Sequence, residues 1–436
     1  MKTTLKALML SGVALGLIGS ATADEAELEA RIAALEALVQ NLSAQLDAER
    51  TQTDQDIVRL EAAATSAPAA SPAARQDGMM LGETNVRVGG YIDLDAHVTN
   101  LSDGAIGSSS IARDFHIPGA TPIGGSGTTT TDMTAQASRI FIAGDRDIDG
   151  NKVSGYFEMD FLGSLQGDER VSSSFSPRLR RAYIDVNGLR VGQEWSTFQN
   201  TSSIPESASF LTLSDGMVFM RQAQIRYTNG NWQFALENGD TTITPVGGGR
   251  IEADSNTLPD AVVRYNHTGD FGNVSFSGLA RQLRYEAAGI EEQTMGYALS
   301  VAGKLNVGGG DDVRFSLTGG EGLGRYIGLN AANGAAINPL TGELEAIPSY
   351  GGLIAWRHPF GETARLNLGY SGLFIDNPSY VASTMTQSVQ SVYGAVLWDI
   401  APRVTMGAEL LFGQRENEAG NSGDISRFTF STKYAF

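Results

Sequence analysis

From Val86 to Phe436 the chain is built of short stretches in which apolar and polar side chains alternate. In "SGYFEMDFLG" (154–163), Phe157, Met159 and Phe161 fall on one side and Tyr156, Glu158 and Asp160 on the other. In "RQAQIRYT" (221–228), Ala223, Ile225 and Tyr227 oppose Gln222, Gln224 and Arg226. Period-two alternation defines a strand with two unlike faces. Sixteen such segments occur, near 86–99, 133–144, 152–163, 177–187, 189–196, 219–228, 231–238, 259–268, 271–285, 292–306, 311–319, 348–358, 362–374, 387–398, 402–414 and 425–436. Their connections run crudely short ("NG" at 187–188 and 229–230, "PFGE" at 359–362) and long (100–132, 197–217, 321–347) in turn. Strands of about ten residues with alternating turns and loops are the pattern of an outer-membrane barrel. The expected fold is all-β: a transmembrane antiparallel β-barrel of about 16 strands over 86–436. A soluble sandwich or propeller would also supply many strands, but favours shorter ones.

The last eleven residues, "SRFTFSTKYAF", sharpen this reading. Phe428, Phe430, Thr432, Tyr434 and Phe436 share one parity, and the chain stops on a bare aromatic. Chain ends of soluble domains usually fray into water. In a barrel the last strand closes against the first, and its aromatics face lipid near the interface. Such a strand also resembles the signal read by outer-membrane assembly machinery, an expected partner alongside outer-membrane lipid.

The beginning of the chain reads differently. Residues 1–23 have Lys2 and Lys6, an apolar run from Ala7 to Ile18, and Ala21-Thr22-Ala23, the form of a secretory signal peptide cut after Ala23. In 24–61, Leu28, Ile32, Leu35, Val39, Leu42 and Leu46 alternate spacings of four and three, which predicts an α-helical coiled-coil segment. A lone amphipathic helix would show a wider apolar stripe. Residues 62–85 begin "AAATSAPAASPAARQDG", an Ala/Pro/Ser-rich linker without periodicity. After the signal no stretch offers about 18 uninterrupted apolar residues, so no transmembrane helix is expected.

Composition removes several classes of function. There are no cysteines, hence neither disulfides nor thiolate metal sites. The net charge of −18 and the lack of a basic patch argue against nucleic acid as a partner. His97, His116, His267 and His358 are scattered without ligand spacing, and no nucleophile elbow occurs. No catalytic residue, cofactor or metal is expected, and the chain does not read as an enzyme.

A set of motifs carries a more specific likeness. "VRVGGYIDLDA" (86–96), "FHIPGATPI" (115–123), "QASRIFIAGD" (136–145), "VSGYFEMDFLG" (153–163), "SPRLRRAYIDV" (176–186), "LRVGQEWSTF" (189–198), "FMRQAQIRYT" (219–228) and "FALENGDT" (234–241) follow in order. This run resembles the DcaP-like porin family, and the likeness covers the coil, the linker and the first half of the barrel. The resemblance implies a homotrimeric outer-membrane porin of a Gram-negative bacterium, each protomer a sixteen-stranded barrel with a periplasmic coiled coil. It further implies passage of small anionic solutes, dicarboxylates among them.

The pore can be read from the residues themselves. After the signal, nearly all basic charge is arginine, which makes planar bidentate contacts to carboxylates. Arg226, Arg264 and Arg284 lie on the polar parity of their strands. Arg178, Arg180 and Arg181 crowd one strand, and if Arg181 points inward with Tyr183 and Asp185, the other two require a local bulge. These arginines either filter anions or pair with Glu158, Asp160, Glu194 or Glu237 to stiffen the wall. In a wide barrel selectivity needs a narrowing. The connection 197–217 supplies one, because Ile204, Phe210, Leu211 and Leu213 are too apolar to wave in water. Folded inward, it would set Glu206 and Asp215 as an acidic side against Arg178, Arg181, Arg226 and Arg264. Solute affinity in such a filter would be millimolar, on the order of −4 kcal/mol. A general or sugar-type porin, lined by a file of aromatics, is an alternative. So is a structural tether in which the coil engages peptidoglycan.

Overall fold

The computed structural model describes residues 78–163, 172–287 and 290–436. The expected signal peptide (1–23), coiled coil (24–61) and the linker up to residue 77 lie outside the described residues. The wall of the barrel has sixteen positions: β1 (Thr84–Leu101), β2 (Thr128–Thr134 continued by Arg139–Ile148), β3 (Asn151–Asp160), β4 (Arg178–Val186), β5 (Leu189–Trp195), β6 (Arg221–Asn229), β7 (Trp232–Glu237), β8 (Asp260–Gly269), β9 (Gly272–Ala287), β10 (Ile290–Gly308), β11 (Asp311–Glu321), β12 (Pro348–Phe360), β13 (Ala364–Ile375), β14 (Thr386–Ala401), β15 (Val404–Asn417) and β16 (Ser422–Ala435). Each pairs antiparallel with its neighbours, and β16 returns to β1 through Tyr91 opposite Ala435 and Leu101 opposite Ile425. All sixteen lie on the segments expected from alternation.

Closure extends to the last residue. The Phe436 amide donates to the Gly90 carbonyl at 3.0 Å, and the Gly90 amide donates to the Phe436 carbonyl at 3.3 Å. These backbone bonds extend the seam between β16 and β1 by one pair. Two-residue turns such as Asn187-Gly188, both at positive φ, gather at the end of the barrel that holds Thr84 and Phe436. The long connections gather at the other.

The two faces of the wall differ as a bilayer and water require. Outward positions are large and apolar: Ile92, Leu94 and Val98 on β1, Tyr297 and Leu299 on β10, Phe428 and Tyr434 on β16 are all exposed. Inward positions are polar: Asp93, Asp95, His97 and Thr99 on β1, Gln222, Gln224 and Arg226 on β6, Thr429 and Ser431 on β16. Lipid receives one parity and the lumen the other.

One boundary needs correction. Met79–Leu81 pairs with Thr84–Val86 as a hairpin, so residues 79–85 belong to the sheet rather than to the linker. Met79 and Leu81, opposite Val86 and Thr84, continue the outward parity of Val88 and Ile92, whereas Met80, opposite Asn85, lies on the other face.

Four long connections turn into the lumen instead of standing clear of it. Residues 102–127, 196–220, 238–259 and 322–347 all carry buried side chains. Two of them share a four-stranded sheet made by Thr241–Thr244, Ile251–Ala253, Ala335–Ile337 and Leu344–Ala346. Phe198, Tyr326 and Ile327 from these connections pack against wall residues Val262, Leu279 and Leu373. The barrel is therefore partly filled, and its free passage is set by where the connections dock.

Candidate pore constriction

The connection between β5 and β6 runs inside the barrel against its inner wall. It leaves the wall at Ser196, whose hydroxyl bonds to Glu237 at 2.7 Å, with the Thr197 amide on the same carboxylate at 2.6 Å. Asn200 then reaches Asn273 at 2.8 Å and Ser275 at 2.9 Å on β9 and the Ala302 carbonyl at 2.9 Å on β10. On the far side Glu409 of β15 accepts from Ser207, the Ala208 amide and Ser209 at 2.7–3.0 Å. The return passes Gly216, where a Cβ would stand 2.2 Å from the Gly352 amide nitrogen and 2.4 Å from the Gly372 carbonyl oxygen. Backbone here lies directly on backbone, which only glycine allows. The wall under this path is small and hydroxylated: Ser275, Ser300, Ser316, Thr318, Ser371 and Ser391. Such a wall admits a loop and gives its peptide groups partners.

The expectation that 197–217 folds inward thus agrees with the structure, and the apolar residues behave as argued. Leu211 and Leu213 are buried, and Phe210 stands 5.0 Å from Phe115 of the neighbouring connection 102–127.

The wall facing this path is charged. Arg178 makes a bidentate pair with Asp160, both bonds 2.8 Å. Arg180, 1% exposed, bonds to Glu158 and Asp160 at 2.7 Å each. Arg181 makes a bidentate pair with Glu194 at 2.6 and 2.7 Å. Arg190 joins Asp185 at 3.2 Å and Glu194 at 2.8 Å, and Arg139 stands 3.8 Å from Glu158. Opposite β3, Glu158 pairs with Arg181 and Met159 with Leu179, so Arg180 is the extra residue of a β-bulge. That bulge is the one required to turn Arg178, Arg180 and Arg181 to the same side. Five guanidiniums and four carboxylates form this lattice, which is close to neutral.

Arg226 and Arg264 differ. The Arg226 Nε donates to Thr197 Oγ1 at 2.8 Å and Gln224 at 3.0 Å, with Nη2 on the Trp195 carbonyl. The Arg264 Nε donates to Asn266 at 2.7 Å and Nη1 to the Gln199 carbonyl at 2.5 Å. All these acceptors are neutral. Among the described residues no carboxylate lies within salt-bridge distance of either guanidinium.

Three of the residues expected at the filter stand elsewhere or in another role. Arg284 does not face the lumen: it shares the parity of exposed Phe276, opposite to buried Arg281 and Leu283, and bonds Glu286 at 2.6 Å and Glu291 at 2.7 Å. Near the loop end of β9 the interior is an apolar cluster of Ile243, Leu283, Ala335 and Leu344, so polar parity there marks the outside. Asp215 is fully buried, bonded to Ser391 and 3.4 Å from His116 Nε2. It anchors two connections and gives the passage no acidic side. Glu206 stands with Arg314, Arg357 and Arg365, at 3.4, 3.2 and 2.5 Å, and they compensate its charge.

Those three arginines, and Arg281 on β9, were not singled out from sequence. Arg314 and Arg357 lie on the inward parity of β11 and β12, with Asp312, Ser316 and Ala355, and Arg365 on that of β13, with Asn367. The alternation that marked Arg226 would have found them.

A barrel with polar lumen, apolar belt and inward connection defines the class: an outer-membrane channel of porin type. A family model described as DcaP outer membrane protein matches residues 20–436, and the chain belongs to that family. Among solved structures, the outer membrane channel DcaP of Acinetobacter baumannii superposes with TM-score 0.70 at 22% identity, covering 83% of this chain and 100% of that one. The anion-selective porin from Comamonas acidovorans gives 0.52 at 13% identity, covering 81% and 100%. OmpT of Vibrio cholerae gives 0.50 at 12%, covering 82% and 99%. No curated protein matches the chain.

Proposed function

We propose that this porin passes small hydrophilic solutes by passive diffusion and prefers anions, dicarboxylates among them. The observation that carries this reading is the pair Arg226 and Arg264: two guanidiniums on the lumen side with neutral acceptors only. Their hydrogen bonds use Nε and one Nη of each, so positive charge and donor capacity remain for a passing carboxylate. The lattice of β2–β5 and the carboxylate of Glu206 form no ion pair with either of these two guanidiniums. Arg178, Arg180 and Arg181 then act as the stiffened wall that fixes the passage, and Arg226 and Arg264 as the selective part. Binding stays weak for throughput, in the millimolar range.

The protein acts as a homotrimer in the outer membrane, with residues 24–61 as a periplasmic coiled coil able to approach peptidoglycan. The C-terminal strand serves as the assembly signal. In a salt gradient across a planar bilayer, the purified channel is expected to show a reversal potential of anion-selective sign, with succinate carrying current. A cation-selective sign would overturn the reading. Absence of any conductance would leave the tether.

A further inference from the structure

The outer face of the barrel carries a bounded hollow over β8 and β9. The outward side chains there are small: Ala261 and Val263 on β8 stand opposite Ala280 and Gly278 on β9. On either side they are large. Leu236 and Phe234 on β7 stand opposite Ala261 and Val263, and Tyr297 and Leu299 on β10 stand opposite Ala280 and Gly278. These four large side chains are exposed and form two ridges, three strand spacings or about 14 Å apart. The space between them measures about 1080 Å³.

The two ends of the hollow differ. Toward the short turns the floor stops at the cross-strand pair Tyr265 and Phe276, with Trp232 4.9 Å from Tyr265. Toward the long connections it stops at Gln282. The Gln282 Oε1 accepts from the Thr257 and Leu258 amides at 2.8 and 3.1 Å, and its Nε2 donates to Gln293 at 2.7 Å. Beyond it on the same parity lies Arg284, with Glu286 and Glu291. The hollow thus runs from a girdle of rings, over an apolar floor, to an amide and charged edge. Aromatic rings mark the border of the hydrocarbon layer on a lipid-facing wall, so the floor above them lies within that layer. In such barrels the short turns are periplasmic and the long connections extracellular, which puts the polar end in the outer leaflet.

We propose that this hollow seats an acyl chain of an outer-leaflet lipid. The head group stands at the polar end beside Gln282, and the chain runs over Ala280 and Gly278 toward Tyr265 and Phe276. An apolar hollow left open forfeits dispersion contacts along its lining. A flexible hydrocarbon chain restores them, and the hollow is continuous with the surface that already meets hydrocarbon. The seat also backs the interior. Val262 and Leu279 alternate with the floor residues and face inward, where Phe198 and Tyr326 of the inward connections pack on them. A single layer of sheet separates the lipid chain from those connections.

The test fills the hollow. A Cβ at Gly278 would stand 3.5 Å from Val263 Cγ1 and 3.8 Å from Leu299 Cδ2, ordinary contact distances, and Gly278 is not at positive φ. Gly278→Leu with Ala280→Leu therefore occupies the floor from within the chain. The full chain in mild detergent is incubated with lipid A, washed and weighed intact by native mass spectrometry. The parent is expected to retain one lipid A more per protomer than the double variant. Ala280→Leu alone, a smaller intrusion should the double variant fail to fold, is expected to hold lipid A about tenfold more weakly. Equal retention in parent and filled variants would overturn the seat. A filled variant whose oligomeric state differs from the parent's would also overturn it, because the hollow would then hold a second copy of the chain. Retention of dipalmitoylphosphatidylethanolamine with exclusion of lipid A would overturn the assignment to the outer leaflet.

Discussion

The wall of β2–β5 and the wall of β6–β8 both present arginine to the lumen, and they do opposite things with it. On β2–β5 the guanidiniums close onto Glu158, Asp160, Asp185 and Glu194. On β6 and β8 the guanidiniums of Arg226 and Arg264 meet hydroxyl, amide and backbone oxygens only. Counting arginines along a strand thus says little about selectivity. What matters is whether a carboxylate of the chain itself already occupies the fork. A committed guanidinium stiffens the barrel, and an uncommitted one leaves a field for solutes to feel.

The comparison breaks most visibly at Arg180. This side chain is buried, and its removal would leave Glu158 with no guanidinium nearer than 3.7 Å and Asp160 with Arg178 alone. Arg180→Met is expected to cost about 3–5 kcal/mol of stability. It should be seen as a lower temperature at which the folded band is lost on a semi-native gel. Arg226→Gln, which leaves no carboxylate behind, should keep the parental temperature. Equal loss in both variants would show that the two walls do not differ as claimed.

A smaller effect is expected across the lumen. Glu206 compensates Arg314, Arg357 and Arg365 together. Glu206→Gln removes one negative charge while its amide oxygen still accepts a hydrogen bond. The variant should be more anion-selective than the parent, with an increase in the anion-to-cation permeability ratio of severalfold at low salt. An unchanged ratio at low ionic strength would mean that solutes do not pass near that cluster.

How far these features can be read from sequence depends on what each residue faces. Where lipid lies on one side and water on the other, alternation alone places the side chain. Arg226 on β6 and the aromatics of β16 are such cases. The bulge at Arg180 was also legible, because residues 178, 180 and 181 cannot share a face in a regular strand. The rule reverses at Arg284, where the interior is filled by the apolar side chains of the inward connections. Asp215 was illegible for a different reason. Its partners, His116 and Ser391, are 99 and 176 residues away along the chain, and no local pattern encodes that meeting. That 197–217 enters the lumen could be argued from its apolar content. Its destination on the hydroxyl-lined wall could not.

The central claim is that anion preference resides in Arg226 and Arg264, which have no carboxylate partner. The most direct measurement is the reversal potential of the Arg226→Gln, Arg264→Gln double variant in a salt gradient, beside the unaltered channel. Glutamine removes both charges and retains an amide donor for the contacts to Thr197 and Gln199. The account predicts an anion-selective parent and a double variant whose reversal potential moves to zero or to the cationic side, with unitary conductance still measurable. An unchanged anion-selective potential in the double variant would contradict it.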